Sequence, residues 1–124
     1  MNHDISLIVP IYNDWINFNE MLLPSLLNQK DVNFELVVID DGSDSKYNSL
    51  KREMWNYGVI DPSNIKYLEL KKNAGANVVR NLAFDMAEGK YIMFSDADVY
   101  FFPNIFKKMK SVLDKNKKIS FIYS

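Results

Sequence analysis

The chain has 124 residues with 15 basic and 16 acidic side chains, and a net charge of -1 offers no basic excess for a nucleic-acid partner. It has no cysteine, which excludes disulfides and thiolate metal sites as supports of the fold. No apolar run approaches a membrane span and Met1-Asn2-His3-Asp4 does not open a secretory leader, so one soluble cytoplasmic domain over residues 1–124 is expected.

Residues 5–9 form an apolar run broken only by Ser6, the pattern of a strand covered on both faces, and Pro10 is expected to stop it. Asn13 or Asp14 can cap a helix whose apolar face is Ile16, Met21, Leu22, Leu23, Leu26 and Leu27, with a kink or fresh start near Pro24. Residues 34–39 read as a second buried strand that ends in acid, Asp40-Asp41-Gly42-Ser43-Asp44. Gly42 suits a tight turn, and Ser43 or Asp44 can cap a helix with the stripe Tyr47, Leu50, Met54 and Tyr57.

A third strand at 65–70 leads through Lys71–Asn77 into a helix packed by Val78, Val79, Leu82, Ala83 and Met86, with Asn77, Arg80, Asn81 and Phe84 on another flank. Residues 91–95 form a fourth strand that runs into Asp96 and Asp98. Pro103 then opens a helix carrying Ile105, Phe106, Met109, Val112 and Leu113, and residues 119–123 read as a fifth strand. This alternation predicts an α/β fold, a mostly parallel sheet with helices on both faces. In such sheets ligands bind at the carboxyl ends of the strands, where Pro10–Asn13, Asp40-Asp41, Asn73–Gly75 and Asp96–Asp98 all fall. On extended chain Asp96 and Asp98 share a face, and two such hard oxygen donors suit Mg2+ or Mn2+ together with phosphate oxygens and water.

These residues resemble the nucleotide-binding half of a family 2 glycosyltransferase, an enzyme of the Rossmann-like GT-A fold. The resemblance covers essentially the whole chain and rests on Val9-Pro-Ile-Tyr-Asn13, Val38-Ile-Asp-Asp-Gly-Ser43, Asn73-Ala-Gly75 with Arg80-Asn81, and Gly89-Lys-Tyr-Ile-Met-Phe-Ser-Asp-Ala-Asp98. It implies that Pro10 and Tyr12 wall the uracil ring, that Asp41 accepts from the base N–H, and that Asp40 holds the turn or the ribose side. It places Asn73 and Gly75 near the nucleotide backbone-first and lets Arg80 face phosphate or pin a carboxylate. Asp98 is implied as the direct metal ligand, with Asp96 reaching the ribose or the metal through water. The implied activity, of the kind used in polysaccharide biosynthesis, transfers a sugar from a nucleotide-diphosphate donor, best matched to a UDP-sugar, to a saccharide or lipid-linked acceptor hydroxyl. Inversion requires a carboxylate base.

In that family the base lies well beyond the metal motif, whereas this chain stops at Ser124. The expectation is an N-terminal, donor-binding portion with an incomplete fold and a base beyond Ser124. Tyr100, Phe101, Phe102 and the last strand are then either left bare, favouring self-association, or used to complete the small core. Asp114 and His3 read as solvated, as do Lys107, Lys108, Lys110, Lys115, Lys117 and Lys118; the alternative for the lysines is the inner face of an acidic membrane. A non-catalytic nucleotide or sugar-binding module is the rival reading. A sugar-nucleotide pyrophosphorylase lacks its glycine-rich loop here, a dehydrogenase lacks Gly-x-Gly-x-x-Gly, and a receiver domain lacks an acceptor Asp where Lys71-Lys72 stands.

Overall fold

A computed structural model describes residues 3–56, 58, 60–116 and the backbone of 122–123. Among these residues, β1 (Ile5–Ile11), β2 (Phe34–Asp41), β3 (Ile65–Leu70), β4 (Tyr91–Phe94) and β5 (Ile122–Tyr123) form one parallel sheet in the order β3-β2-β1-β4-β5. The connecting helical segments are α1 (residues 15–28), α2 (Asn48–Asn56), α3 (Ala76–Met86) and α4 (Ile105–Lys115). The α/β architecture expected from the alternation is present. Tyr57, Lys117, Lys118 and residues 119–121 of the expected last strand lie outside the described residues.

Strand alternation decides which helix covers which face. Leu7, Val9, Leu36, Val38 and Met93 point to one side and pack with Trp15, Phe18, Met54 and Phe106 from α1, α2 and α4. Ile8, Val37 and Ile39 point to the other and meet Val79 and Ala83 of α3. Each such side chain, fully withdrawn from water, contributes about 1.5–3 kcal/mol before conformational entropy is subtracted.

The structure departs from expectation at Pro10 and meets it at Pro24, where the helix is interrupted and restarts. β1 continues through Pro10 to Ile11 instead of stopping. Ser95 N–H donates to Ile8 C=O, so the even residues of β1 turn their polar groups toward β4, and β4 has ended by the level of Pro10. The missing donor of Pro10 therefore falls where no neighbour asks for it. In α1, residues Phe18–Leu22 form a π turn in which Leu23 N–H donates to Phe18 C=O, one residue wider than an α turn. That widening sits immediately before the Pro24 ring, which a regular ladder would drive into the preceding turn. Asp14 does not cap α1 with its side chain; it accepts from Asn17 Nδ2 at 2.8 Å. Asp44 does cap, accepting from Lys46 N–H at 3.0 Å ahead of α2.

The aromatic run Tyr100-Phe101-Phe102 divides. Phe101 is buried with its ring 4.9 Å from that of Phe106, while Tyr100 and Phe102 stay exposed, Phe102 at 76%. Gln29 fixes this segment against α1, donating to Phe102 C=O at 2.8 Å and accepting from Phe106 N–H at 3.1 Å.

Two residues expected in solvent are tied down at the amino edge of the sheet. His3 Nε2 lies 3.1 Å from Asn64 Oδ1 and the ring is mostly buried, because Asp4 and His3 extend the ladder beside β2 and β4. Asp114 accepts from Lys90 at 3.1 Å, from Lys110 at 2.7 Å and from the Tyr91 hydroxyl, locking α4 to the start of β4. Those contacts, Lys110 first, hold its carboxyl well below the usual carboxylate range. On the α3 face, buried Glu35 accepts from Ser6 Oγ at 2.6 Å and from Glu88 N–H at 2.6 Å, and pairs with Lys66 at 3.1 Å. Lys66 also caps the end of α3 by donating to Met86 C=O at 2.6 Å.

Candidate functional site

A cleft of about 420 Å³ opens at the carboxyl ends of the strands, on the α3 side of the sheet, and falls in the size range of small-ligand pockets. Pro10, Ile11 and Tyr12 form one wall at the end of β1, Asp41 comes from the end of β2, and Phe94, Ser95 and Asp96 from the end of β4. Ala76, Val79 and Arg80 supply the α3 wall. Of the residues expected at a site, Pro10, Tyr12, Asp41, Arg80 and Asp96 thus meet here. Tyr12 is 55% exposed, so it is not a core residue at the strand end. Arg80 is exposed, and its nearest polar partner is Asn77 Oδ1 at 3.4 Å; among the described residues no carboxylate pairs with it.

Asp41 is 7% exposed, and its two oxygens accept from Ala74 N–H at 2.7 Å and Gly75 N–H at 3.3 Å. The carboxylate therefore pins the loop that leads into α3 while keeping a lone pair on each oxygen for a ligand. Gly75 turns the chain into α3 at φ +91°, in the left-handed region. Asn73 is exposed and does not line the cleft; its backbone packs beneath Gly42.

Of the two roles expected for Asp40, the turn or the ribose side, its position favours the turn, because alternation sends it to the α1/α2 face, opposite the cleft, where it is 0% exposed. There it pairs with Lys51 Nζ at 2.6 Å and accepts from Trp15 Nε1 at 3.3 Å and from Ser43 N–H at 3.3 Å. It holds the turn and does not reach the cleft. Lys51, which the sequence reading passed over, also pairs with Glu69 at 2.6 Å. Burial works against its ammonium, but Asp40 and Glu69 outweigh it and raise the pKa above the ordinary lysine value.

The rim loops are clasped to one another. Asn13, at φ +63°, donates its N–H to Ser43 Oγ at 2.8 Å and accepts from Asp44 N–H at 2.8 Å through its side chain. Asp96 and Asp98 lie on a turn past the end of β4 rather than on the strand, yet both are exposed around buried Ala97, so the in-out pattern persists. Among the described residues no group of three His, Cys, Asp or Glu side chains converges to cage a metal. Phe94, its ring 5.6 Å from that of Phe84 on α3, was also missed; its position two residues before Asp96 was the available signal.

A parallel Rossmann-like sheet with a cleft at its carboxyl rim defines a ligand-binding α/β protein of the GT-A type. Residues 6–124 match the family described as glycosyl transferase family 2, and the chain belongs to that family. It is similar to an uncharacterized glycosyltransferase of Rickettsia bellii (strain RML369-C), 37% identical over 120 residues, which is 97% of this chain and 16% of that protein. It is also similar to the minor teichoic acid biosynthesis protein GgaB of Bacillus subtilis (strain 168), 33% identical over 94% of this chain and 13% of that protein. Among solved structures, S. aureus TarS 1-349 in complex with UDP-GlcNAc matches at TM-score 0.77 and 32% identity, covering 92% of this chain and 32% of that one. The chain thus spans only 16% of the length of the Rickettsia relative. No helix among the described residues is long and apolar enough to cross a membrane.

Proposed function

We propose that this chain is the donor-binding part of an inverting glycosyltransferase that takes a UDP-sugar and serves a saccharide or lipid-linked acceptor. The observation that carries the reading is the cleft itself, which gathers Tyr12, Asp41, Arg80 and Asp96 at the carboxyl ends of three strands. The likeness to TarS with UDP-GlcNAc supports uridine, and the likeness to GgaB supports a polymer or its precursor as acceptor. In this reading Tyr12 and Pro10 face the flat base, and Asp41, already fixed by two loop amides, accepts from its N–H. The Arg80 guanidinium, free of carboxylate partners among the described residues, meets the diphosphate.

Asp96 and Asp98 fit a divalent cation of the Mg2+ or Mn2+ kind, which binds through one or two carboxylates and completes its shell with phosphate and water. Among the described residues no third carboxylate or imidazole joins them, and of the two only Asp96 lines the cleft. When bound, such an ion supplies Lewis-acid neutralisation of charge on the leaving diphosphate. Asp114, at the opposite edge of the sheet, is no candidate for the acceptor's base, and this reading names none among the described residues.

Titrating UDP into the chain by calorimetry tests the reading. Binding is expected to need Mn2+ or Mg2+ and to weaken at least about tenfold in Asp98→Ala, roughly 1.4 kcal/mol or more. Equal binding with and without metal removes Asp96 and Asp98 from the donor site. Metal-dependent binding with no transfer to any acceptor by a longer form of the protein favours the rival, a non-catalytic binding module.

A further inference from the structure

We infer that Lys51 is a positioning residue for the cleft on the far side of the sheet. Its ammonium holds Asp40, Asp40 sets the tip of β2 and the turn after it, and from that tip Asp41 clasps the loop that leads into α3. The functional consequence rests on the donor-binding reading; the structural one does not.

The geometry runs in one direction through the sheet. Lys51 Nζ is the nearest partner of Asp40; Lys51 itself is 7% exposed, while its second partner, Glu69, is exposed. The other two contacts of Asp40, from Trp15 Nε1 and Ser43 N–H, are both 3.3 Å and weaker. Asp40 has no exposure to water, so without the ammonium its charge stands uncompensated and the carboxylate must take a proton or turn away. Turning away withdraws the acceptor from Ser43 N–H, and protonation of Oδ2 leaves Oδ1 an uncharged and weaker one. Ser43 Oγ in turn accepts from Asn13 N–H beside Tyr12, and the neighbouring Asp41 accepts from Ala74 and Gly75. A lysine that touches nothing in the cleft thus bears on two of its walls.

The test is backbone amide hydrogen exchange on the wild-type chain, Lys51→Met, Lys51→Arg and the double variant Lys51→Met/Asp40→Asn, with UDP titration alongside. In Lys51→Met the amides of Ser43 and Ala74 are expected to exchange about tenfold or more faster while Leu7 and Ile8 of β1 keep their protection. UDP affinity in the presence of Mn2+ should fall by about the same factor. Lys51→Arg retains the charge, and the double variant removes both charges together, so each should keep protection at Ser43 and Ala74 within about threefold of wild type. A Lys51→Met variant whose exchange rises equally at every amide, or at none, overturns the inference. Should Lys51→Met fail to fold, a folded double variant with wild-type protection upholds it, and a double variant that is unfolded or unprotected overturns it. Failure of the wild type to bind UDP sinks the donor reading alone, because the exchange comparison still decides the role of Lys51.

Discussion

Gly42→Ala lowers the unfolding free energy by about 3 kcal/mol, read from the shift of a urea transition at unchanged slope. Two effects add. Gly42 sits at φ +75°, where a side chain is strained by roughly 1 kcal/mol. A Cβ there would also lie 2.4 Å from Asn73 N and 2.5 Å from Lys72 C, backbone atoms that cannot swing aside. Gly58 separates the two effects, since it has φ +77° with nothing within 4 Å of its Cβ position. Gly58→Ala should therefore show only the backbone part, about 1 kcal/mol. Equal losses at both glycines would mean that the turn after β2 does not press on the loop before α3.

Glu35→Ala is expected to lose about 3–5 kcal/mol, because it leaves the Lys66 ammonium, the Ser6 hydroxyl and the Glu88 N–H without their common acceptor. Glu35→Gln keeps an acceptor and should lose less. The two can be separated by pH. Burial raises the Glu35 pKa, but the bonds from Ser6, Glu88 N–H and Lys66 outweigh it and leave the folded value below the ordinary 4.5. A depressed carboxyl contributes stability that is present above the unfolded value and is lost as pH falls through the folded one. The wild-type transition should therefore weaken more steeply than that of Glu35→Gln as pH falls below the ordinary carboxyl value and through the lower folded one. Parallel curves for the two proteins would show that Glu35 gains nothing from its partners.

Most of the fold was legible because buried parallel strands announce themselves as unbroken apolar runs, and β1 to β4 begin or end within two residues of those runs. The rim was legible for the same reason, since polar residues just past such runs must lie at the carboxyl ends. The face of each rim residue was less so. Asp40 and Asp41 look alike as a pair, and only their odd and even places in β2 assign one to the core and one to the cleft. The burial of Lys51 left a trace at spacing 47-50-51-54, on the same side of α2 as Leu50 and Met54, but a lysine there is ordinarily read as solvent-facing. His3 gave no trace and Asp114 only its i,i+4 pair with Lys110, because Asn64 and Tyr91 are distant in sequence and come near only once the sheet is assembled. The extension through Pro10 depended on where β4 stops, which the residues of β1 do not carry.

The mutual clasps of the rim bear on how its specificity can be altered. Asn13 is bonded to Ser43 and Asp44, Gly42 is pressed against Lys72 and Asn73, and Asp41 is bonded to Ala74 and Gly75. Three connections from three separate crossovers are therefore one mechanical part. Exchanging a single one of them for its counterpart from a relative with another donor breaks bonds on both sides, whereas exchanging all three together carries the clasps along. Under the proposed function, donor preference is a property to be transplanted as a set.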